Sequence, residues 1–297
     1  MSGVKADGHK VIAMSLYGKD PRYTWGVLRN AQLVPVHLPD WTLRVYIAAD
    51  PAPPQLAVPP RIINKLRLLG VEIAQVSIAA GNSMVPRNWR LLVADDQSLD
   101  YFLVRDADSH LSKREAITIR DWLSTAADKN ASTQSNAAAV VHCIRDHPKH
   151  VDQAIVDGLW GGQPRALHSI LNKSIINIPG LASANSWKEV AAVMNDILWP
   201  SVADVAYCHD SVSPCDRWTP LASRHAFSTS RSGHEYLGQK FDQHQELAST
   251  DGDQLKSDVV CAVSSSRSTL LSNYTTSAPR VTSSPQAAAV NRTTAVH

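Results

Sequence analysis

The feature that most constrains this chain is an alternation. Through the first two-thirds, short apolar runs of β type are followed again and again by segments of helical period. VIAMSLYG (11–18) is such a run, ending in a turn glycine, and TLRVYIAA (42–49), VEIAQVS (71–77), LDYFLVRDAD (99–108), AAVVHCIRDHP (138–148) and VAYCHDS (205–211) continue the series. Between them, YTWGVLRNAQLVPVHL (23–38) has helical spacing through Trp25, Leu28 and Leu33, with Pro35 as its expected stop. IINKLRLLG (62–70) predicts a short helix closed by glycine, and PRNWRLLVADD (86–96) a helix with Pro86 in its first turn. SKREAITIRDWL (112–123) predicts a helix opened by a capping box of Ser112 and Glu115, and SWKEVAAVMNDILWP (186–200) another helix. Repeated β–α units imply an α/β fold: a mainly parallel central sheet with helices on both faces.

Two segments leave this pattern. STAADKNASTQSNAA (124–138) is rich in Ser, Ala and Asn and reads as a flexible insertion. Of the 53 residues from 245 to 297, 17 are Ser or Thr and Tyr274 is the sole aromatic, which predicts too little apolar burial to offset ordering, hence a disordered tail. The expected division is an extension over 1–9, a folded domain over 10–244 and the tail. A net charge of +2 argues against a dedicated nucleic-acid binder. No apolar run approaches the roughly 18 residues of a membrane span. The first residues show neither a signal-peptide core nor a cleavage site, so the chain as written is expected in the cytoplasm, with the secretory pathway open if the amino end is incomplete. Cys143, Cys208, Cys215 and Cys261 form no Cys-x-x-Cys pair and are expected as thiols.

In sheets of this kind ligands bind beyond the carboxyl ends of the strands, so the residues just after each strand are the candidates. Leu16–Gly18 follow the first. Asp106 and Asp108 follow the fully apolar FLV, and two carboxylates at i and i+2 suit Mg2+ or Mn2+ shared with substrate phosphates. Arg145, Asp146, His147 and His150 follow the fifth strand. DGLWGG (157–162) offers glycines for close approach and Trp160 as a flat apolar face for a sugar or base. His209 could add an imidazole to the metal, and Arg90 a planar fork to a diphosphate.

Taken in order, SLYG (15–18), YTWGVLRNAQL (23–33), NWRLLVADD (88–96), FLVRDADS (102–109), IRDHPKH (144–150), GLWGG (158–162), LWP (198–200) and HDS (209–211) resemble a family of glycosyltransferase-like proteins with the nucleotide-diphospho-sugar transferase fold. The resemblance covers roughly residues 10–240. It implies a single Rossmann-like domain of A-type glycosyltransferase architecture and a metal-dependent transfer of sugar from a nucleotide-sugar donor, a UDP-sugar foremost, to a glycan, protein or small-molecule hydroxyl. It also implies roles. Leu16, Tyr17, Gly18, Arg90, Arg105 and Asp106 would bind the donor. Asp106, Asp108 and His209 would hold Mn2+ or Mg2+. Gly158, Leu159, Trp160, Gly161 and Gly162 would face the sugar or acceptor, and Asp146 and His147 would be catalytic. Where related proteins carry an Asp-Gln pair before Trp-Pro, this chain reads Val190–Ala191 beside Glu189. That departure keeps open a catalytically weakened nucleotide-sugar-binding protein of the same fold, and the acidic pair of Asp106 and Asp108 would equally serve a metal-dependent nucleotidyltransferase or phosphohydrolase.

Overall fold

Val11, Ile12, Ala13 and Met14 are all fully buried. A strand covered on both faces must be apolar at every position, and this run accordingly becomes a central strand. The computed structural model describes residues 8–78, 84–127, 139–150, 152–211, 218, 224–233 and 235–248. They lie within a unit spanning Met1–Cys261; a second unit, Ala262–His297, is outside them.

The strands are β1 (Lys10–Ser15), β2 (Thr42–Ala48), β3 (Glu72–Val76), β4 (Tyr101–Arg105), β5 (Val141–Arg145), β6 (Leu159–Gly162), β7 (Ala206–Asp210) and β8 (Arg224–His225). They form an eight-stranded sheet in the order β3-β2-β1-β4-β6-β5-β7-β8. β6 runs antiparallel to both its neighbours and the other pairs are parallel. The helices are α1 (Pro21–His37), α2 (Pro60–Leu68), α3 (Lys113–Ala127), α4 (Pro164–Leu171), α5 (Trp187–Val193) and α6 (Trp199–Val202). The period of two along the strands divides the core. Ile12, Met14, Leu43 and Val45 pack with Val27 and Val34 of α1, Leu66 of α2 and Trp122 of α3. Val11, Ala13, Phe102 and Val104 face the other layer, with Trp89, Leu167 of α4 and Val190 of α5. Each large apolar side chain so covered contributes about 1.5–3 kcal/mol on burial.

The α/β fold with its mainly parallel sheet and helices on both faces is therefore the observed one, with local differences. α1 starts at Pro21, capped by the Asp20 carboxylate, which accepts the Arg22 N–H at 2.9 Å. Pro35 sits in its last turn instead of ending it, and Leu38 N–H closes on Val34 O at 2.8 Å. Pro86–Asp95 is a 3₁₀ segment, not an α-helix. Leu159–Gly162 of the GLWGG run is a strand, not a loop, and Gly158 precedes it in a turn. The insertion expected from 124 begins inside α3, and 128–138 lie outside the described residues. The boundary expected at 244 falls within a hairpin: Ala248 N–H donates to Lys240 O at 2.9 Å and Asp242 N–H to Glu246 O at 2.8 Å. Residues 249–297 of the expected tail lie outside the described residues. No helix among the described residues is long and apolar enough to cross a membrane.

Candidate functional site

A cavity of about 490 Å³, lined by charged and aromatic side chains, opens at the carboxyl ends of β1 and β4. Five cationic side chains line it (Arg22, Arg87, Arg90, Lys149 and Lys240) against three carboxylates, Asp106, Asp108 and Asp157. Tyr17, Tyr23 and Trp187 bring aromatic surface, and His150 an imidazole.

Local sequence builds each wall. Ser15, the last residue of β1, donates its hydroxyl to Arg87 O at 3.1 Å and accepts the Arg90 N–H at 2.9 Å, pinning the 3₁₀ segment that carries both arginines. Gly26 lets α1 come so close to the loop after β4 that an added Cβ would lie 2.2 Å from Ala107 O. Asn30, fully buried one turn further along α1, donates to Ser109 O at 2.8 Å and accepts the Leu111 N–H at 3.0 Å. These contacts hold Asp106–Asp108 under the first turn of α1, where Arg22 reaches Asp108 Oδ2 at 2.6 Å. Gly158 sits at φ +94°, a conformation that favours glycine, and a Cβ there would crowd the Asp106 carboxylate at 2.6 Å from Oδ2.

The charges interlock. Arg90 is buried and pairs with Asp106 Oδ1 and, at 2.8 Å, with Asp157 Oδ1. Arg87 meets Asp157 Oδ2 at 3.3 Å. Lys240 bridges Asp106 Oδ2 and Asp108 Oδ1, the latter at 3.0 Å. Burial alone would raise the Asp106 pKa, but Arg90 and Lys240 outweigh it and hold the carboxyl well below the usual range. Burial would likewise lower the Lys240 pKa, and the charges of Asp106 and Asp108 reverse that, so it rises. Burial and the His147 ring push His150 down to about 3; it is neutral, and its Nδ1 accepts the Asp146 N–H at 3.2 Å.

These pairings test the expected metal. Each of the four oxygens of Asp106 and Asp108 already faces a cationic nitrogen of Arg90, Lys240 or Arg22. A divalent cation placed there would meet like charge at contact range. Among the described residues no group of three His, Cys, Asp or Glu side chains is placed to hold a metal ion. The arrangement does not fit Mn2+ or Mg2+.

Other expected site residues lie elsewhere. His209 is buried away from the acidic pair; its Nδ1 meets His142 Nε2 at 3.0 Å, and its ring packs on Phe227. Asp146 is sealed and saturated: Arg114 holds it at 3.0 and 3.2 Å, Arg231 at 2.6 Å, the Ser211 hydroxyl at 2.9 Å and the Leu237 N–H at 3.0 Å. A carboxylate so committed cannot serve as a base. His147 is buried, accepts the Lys149 N–H at 3.1 Å and packs on Tyr236. Arg105 turns from the cavity to Glu115 and to Trp160 O at 3.0 Å. Trp160 is fully buried against Phe102, so it offers no face to a ligand, and Gly161 and Gly162 serve the tight packing of β6. Leu16 belongs to the core and Gly18 turns the chain at φ +70°, while Tyr17 and Leu159 line the cavity. Arg90, Asp106 and Asp108 thus come together as expected. The sequence reading missed Arg22, Arg87, Asp157, Trp187 and Lys240. Arg22 follows a readable N-cap and Arg87 a readable helix-starting proline, but nothing local marks Trp187 or Lys240.

No protein-family model and no curated protein matches the sequence. Among solved structures, the fold is similar to glucosyl-3-phosphoglycerate synthase from Mycobacterium tuberculosis in complex with phosphoglyceric acid, at a TM-score of 0.40 and 11% identity over 72% of this chain and 74% of that one. It is also similar to a mannosyltransferase from Pyrobaculum calidifontis in complex with GDP-Man and Mn2+, at a TM-score of 0.40 and 11% identity over 73% and 58% of the two chains. A third is S. aureus TarS 1-349, at a TM-score of 0.35 and 13% identity over 62% and 55%. Likenesses this distant assign no activity.

Proposed function

We propose that this chain is a glycosyltransferase that moves a sugar from a nucleoside diphosphate sugar, a UDP-sugar foremost, to an acceptor hydroxyl. The observation that carries the reading is the excess of cationic over acidic side chains around a cavity at the carboxyl ends of parallel strands, with aromatic rings at its rim. The motif succession of the sequence supports the same class. A diphosphate would lie against Arg87, Arg90 and Lys149, and a base or sugar ring against Tyr17, Tyr23 or Trp187. In transfer, the bond from the anomeric carbon to the phosphate oxygen breaks and its electron pair stays on the nucleoside diphosphate. The acceptor oxygen forms the new bond and releases its proton to solvent water in the open cavity. The cationic wall stabilises the charge that grows on the leaving phosphate, an effect available because the donors are already positioned.

The test is a panel of UDP- and GDP-sugars with simple acceptors, run with and without Mn2+, reading nucleoside diphosphate release and thermal stabilisation. A nucleoside diphosphate at 100 times its Kd should stabilise the fold by about 2.7 kcal/mol. Failure of every nucleotide to raise the Tm would overturn the reading. A second reading, a binding protein without turnover, is favoured by one observation: all three carboxylates that line the cavity are ion-paired, leaving none of them poised to take the acceptor proton. Stabilisation without product in the same panel would select it.

A further inference from the structure

We infer that Lys240 occupies the place of a divalent cation, so that this pocket takes a nucleoside diphosphate without a metal. The inference rests on the glycosyltransferase reading for its ligand class and on Lys240 for its content.

Three features carry it. First, position: the ammonium group lies between the two strand-end carboxylates, where a shared metal would sit. Second, anchoring. Phe241 N–H donates to Asp108 O at 2.9 Å, Lys240 bridges to Ser109, and Leu237 N–H is fixed to the Asp146 carboxylate at 3.0 Å. Backbone bonds on both sides therefore hold residue 240 at the acidic pair, so its placement does not depend on one long side chain swinging in. Third, capacity: an ammonium has three N–H donors, two of which go to Asp106 and Asp108. The side chain is 36% exposed on the cavity wall, which leaves the third for a phosphate oxygen. Asp106 and Asp108 then act as positioning residues for a protein cation, and the charge a metal would bring to a departing diphosphate is built into the chain.

The experiment measures binding of uridine diphosphate and guanosine diphosphate to the full chain by calorimetry, once in EDTA and once in Mn2+. The expected result is a Kd in EDTA within about threefold of that in Mn2+ for whichever nucleotide binds, a difference under one hydrogen bond's worth. Lys240→Met should weaken binding in EDTA by about tenfold or more, as loss of a charge-assisted contact does, and Mn2+ should recover part of it by meeting the released carboxylates. Lys240→Arg should retain binding in EDTA. Binding by the wild-type chain that vanishes in EDTA and returns with Mn2+ overturns the inference and leaves the proposed function standing. Unchanged binding by Lys240→Met in EDTA also overturns it. Absence of binding under both conditions removes the proposed function and the inference with it. Should Lys240→Met fail to fold, the EDTA and Mn2+ arms of the wild-type chain decide alone.

Discussion

Gly26 and Arg90 show how few atoms set the geometry of the cavity. A methyl group at Gly26 has no room against Ala107 O, so Gly26→Ala must push α1 off the loop that carries Asp106 and Asp108. The expected loss is about 1–3 kcal/mol in urea unfolding, typical of an overpacked contact, and a variant as stable as the wild type would refute that close packing. Arg90 balances Asp106 and Asp157 at once. Arg90→Met leaves Asp106 to Lys240 and Asp157 to Arg87 alone, and should therefore cost about 1–3 kcal/mol, the range for weakening a charge-assisted hydrogen-bond network. Adding Asp157→Asn should recover part of that; equal Tm values for the single and double variants would count against the pairing. Asp106, Asp108 and Arg90 were readable in the sequence because their signal is local, an acidic pair at a strand's end or an arginine on the segment just before that strand. Asp146 was misread for the same reason: its neighbours in sequence reveal a charge, whereas Arg114 and Arg231, which consume that charge, arrive from 32 and 85 residues away.

Among the elements, β6 departs furthest from expectation. Its residues looked like a ligand loop because glycine is rare inside strands and tryptophan suits sugar faces. The glycines are there because β6 is squeezed: a Cβ at Gly161 would lie 2.3 Å from Phe102 O and one at Gly162 2.9 Å from Val140 O. Trp160 fills the layer beneath, edge-on to Phe102 at 5.2 Å between ring centres. Trp160→Ala should then lower stability by about 3–5 kcal/mol, the range for a large aromatic removed from a core. Trp160→Phe should lose less and keep nucleotide binding. A Trp160→Phe chain of full stability that no longer binds nucleotide would return Trp160 to the ligand. The helices were legible in part: the run 186–200, expected as one helix, is α5 and α6 joined by a π-helical turn over Met194–Leu198. Ser186 and Glu189 form a capping box that opens α5, with N–H donors accepted at 3.2 and 3.0 Å, which commits Glu189 to the helix end.

For the molecule as a whole, a buried histidine cluster sets the response to acid. His142 stacks on Trp122 and meets His209, while His225 stacks on Tyr207. Burial, reinforced for His142 and His209 by neighbouring positive charge, lowers all three pKa values, that of His209 to about 3. Folded, these rings resist protonation as the pH falls; unfolded, they take up protons near the ordinary value of about 6.5. The unfolded chain thus binds more protons below that pH, and the stability present above about 6.5 is lost as the pH drops toward 3. Urea midpoints should be steady from pH 8 to 7 and fall between about 6 and 4. A midpoint unchanged at pH 5 would show that the rings are already protonated in the fold. At this scale the sequence was most informative, since β–α alternation is a property of the whole chain and survives local misreadings. The position of β6 between β4 and β5 was not legible, because sheet order depends on long-range pairing.

Lys240 joins Asp106 and Asp108 across 134 and 132 residues. A chain emerging from the ribosome amino end first reaches residue 211 with β1 to β7 already made, and with Asp106 and Asp108 still lacking the ammonium group that lies between them. The sheet can form before the pocket does. Order of assembly therefore separates two kinds of product: a nascent chain released before residue 240 would hold β1 to β7 with Arg90 and Arg22 alone facing Asp106 and Asp108, and only the longer chain would carry the ammonium group that bridges the two carboxylates.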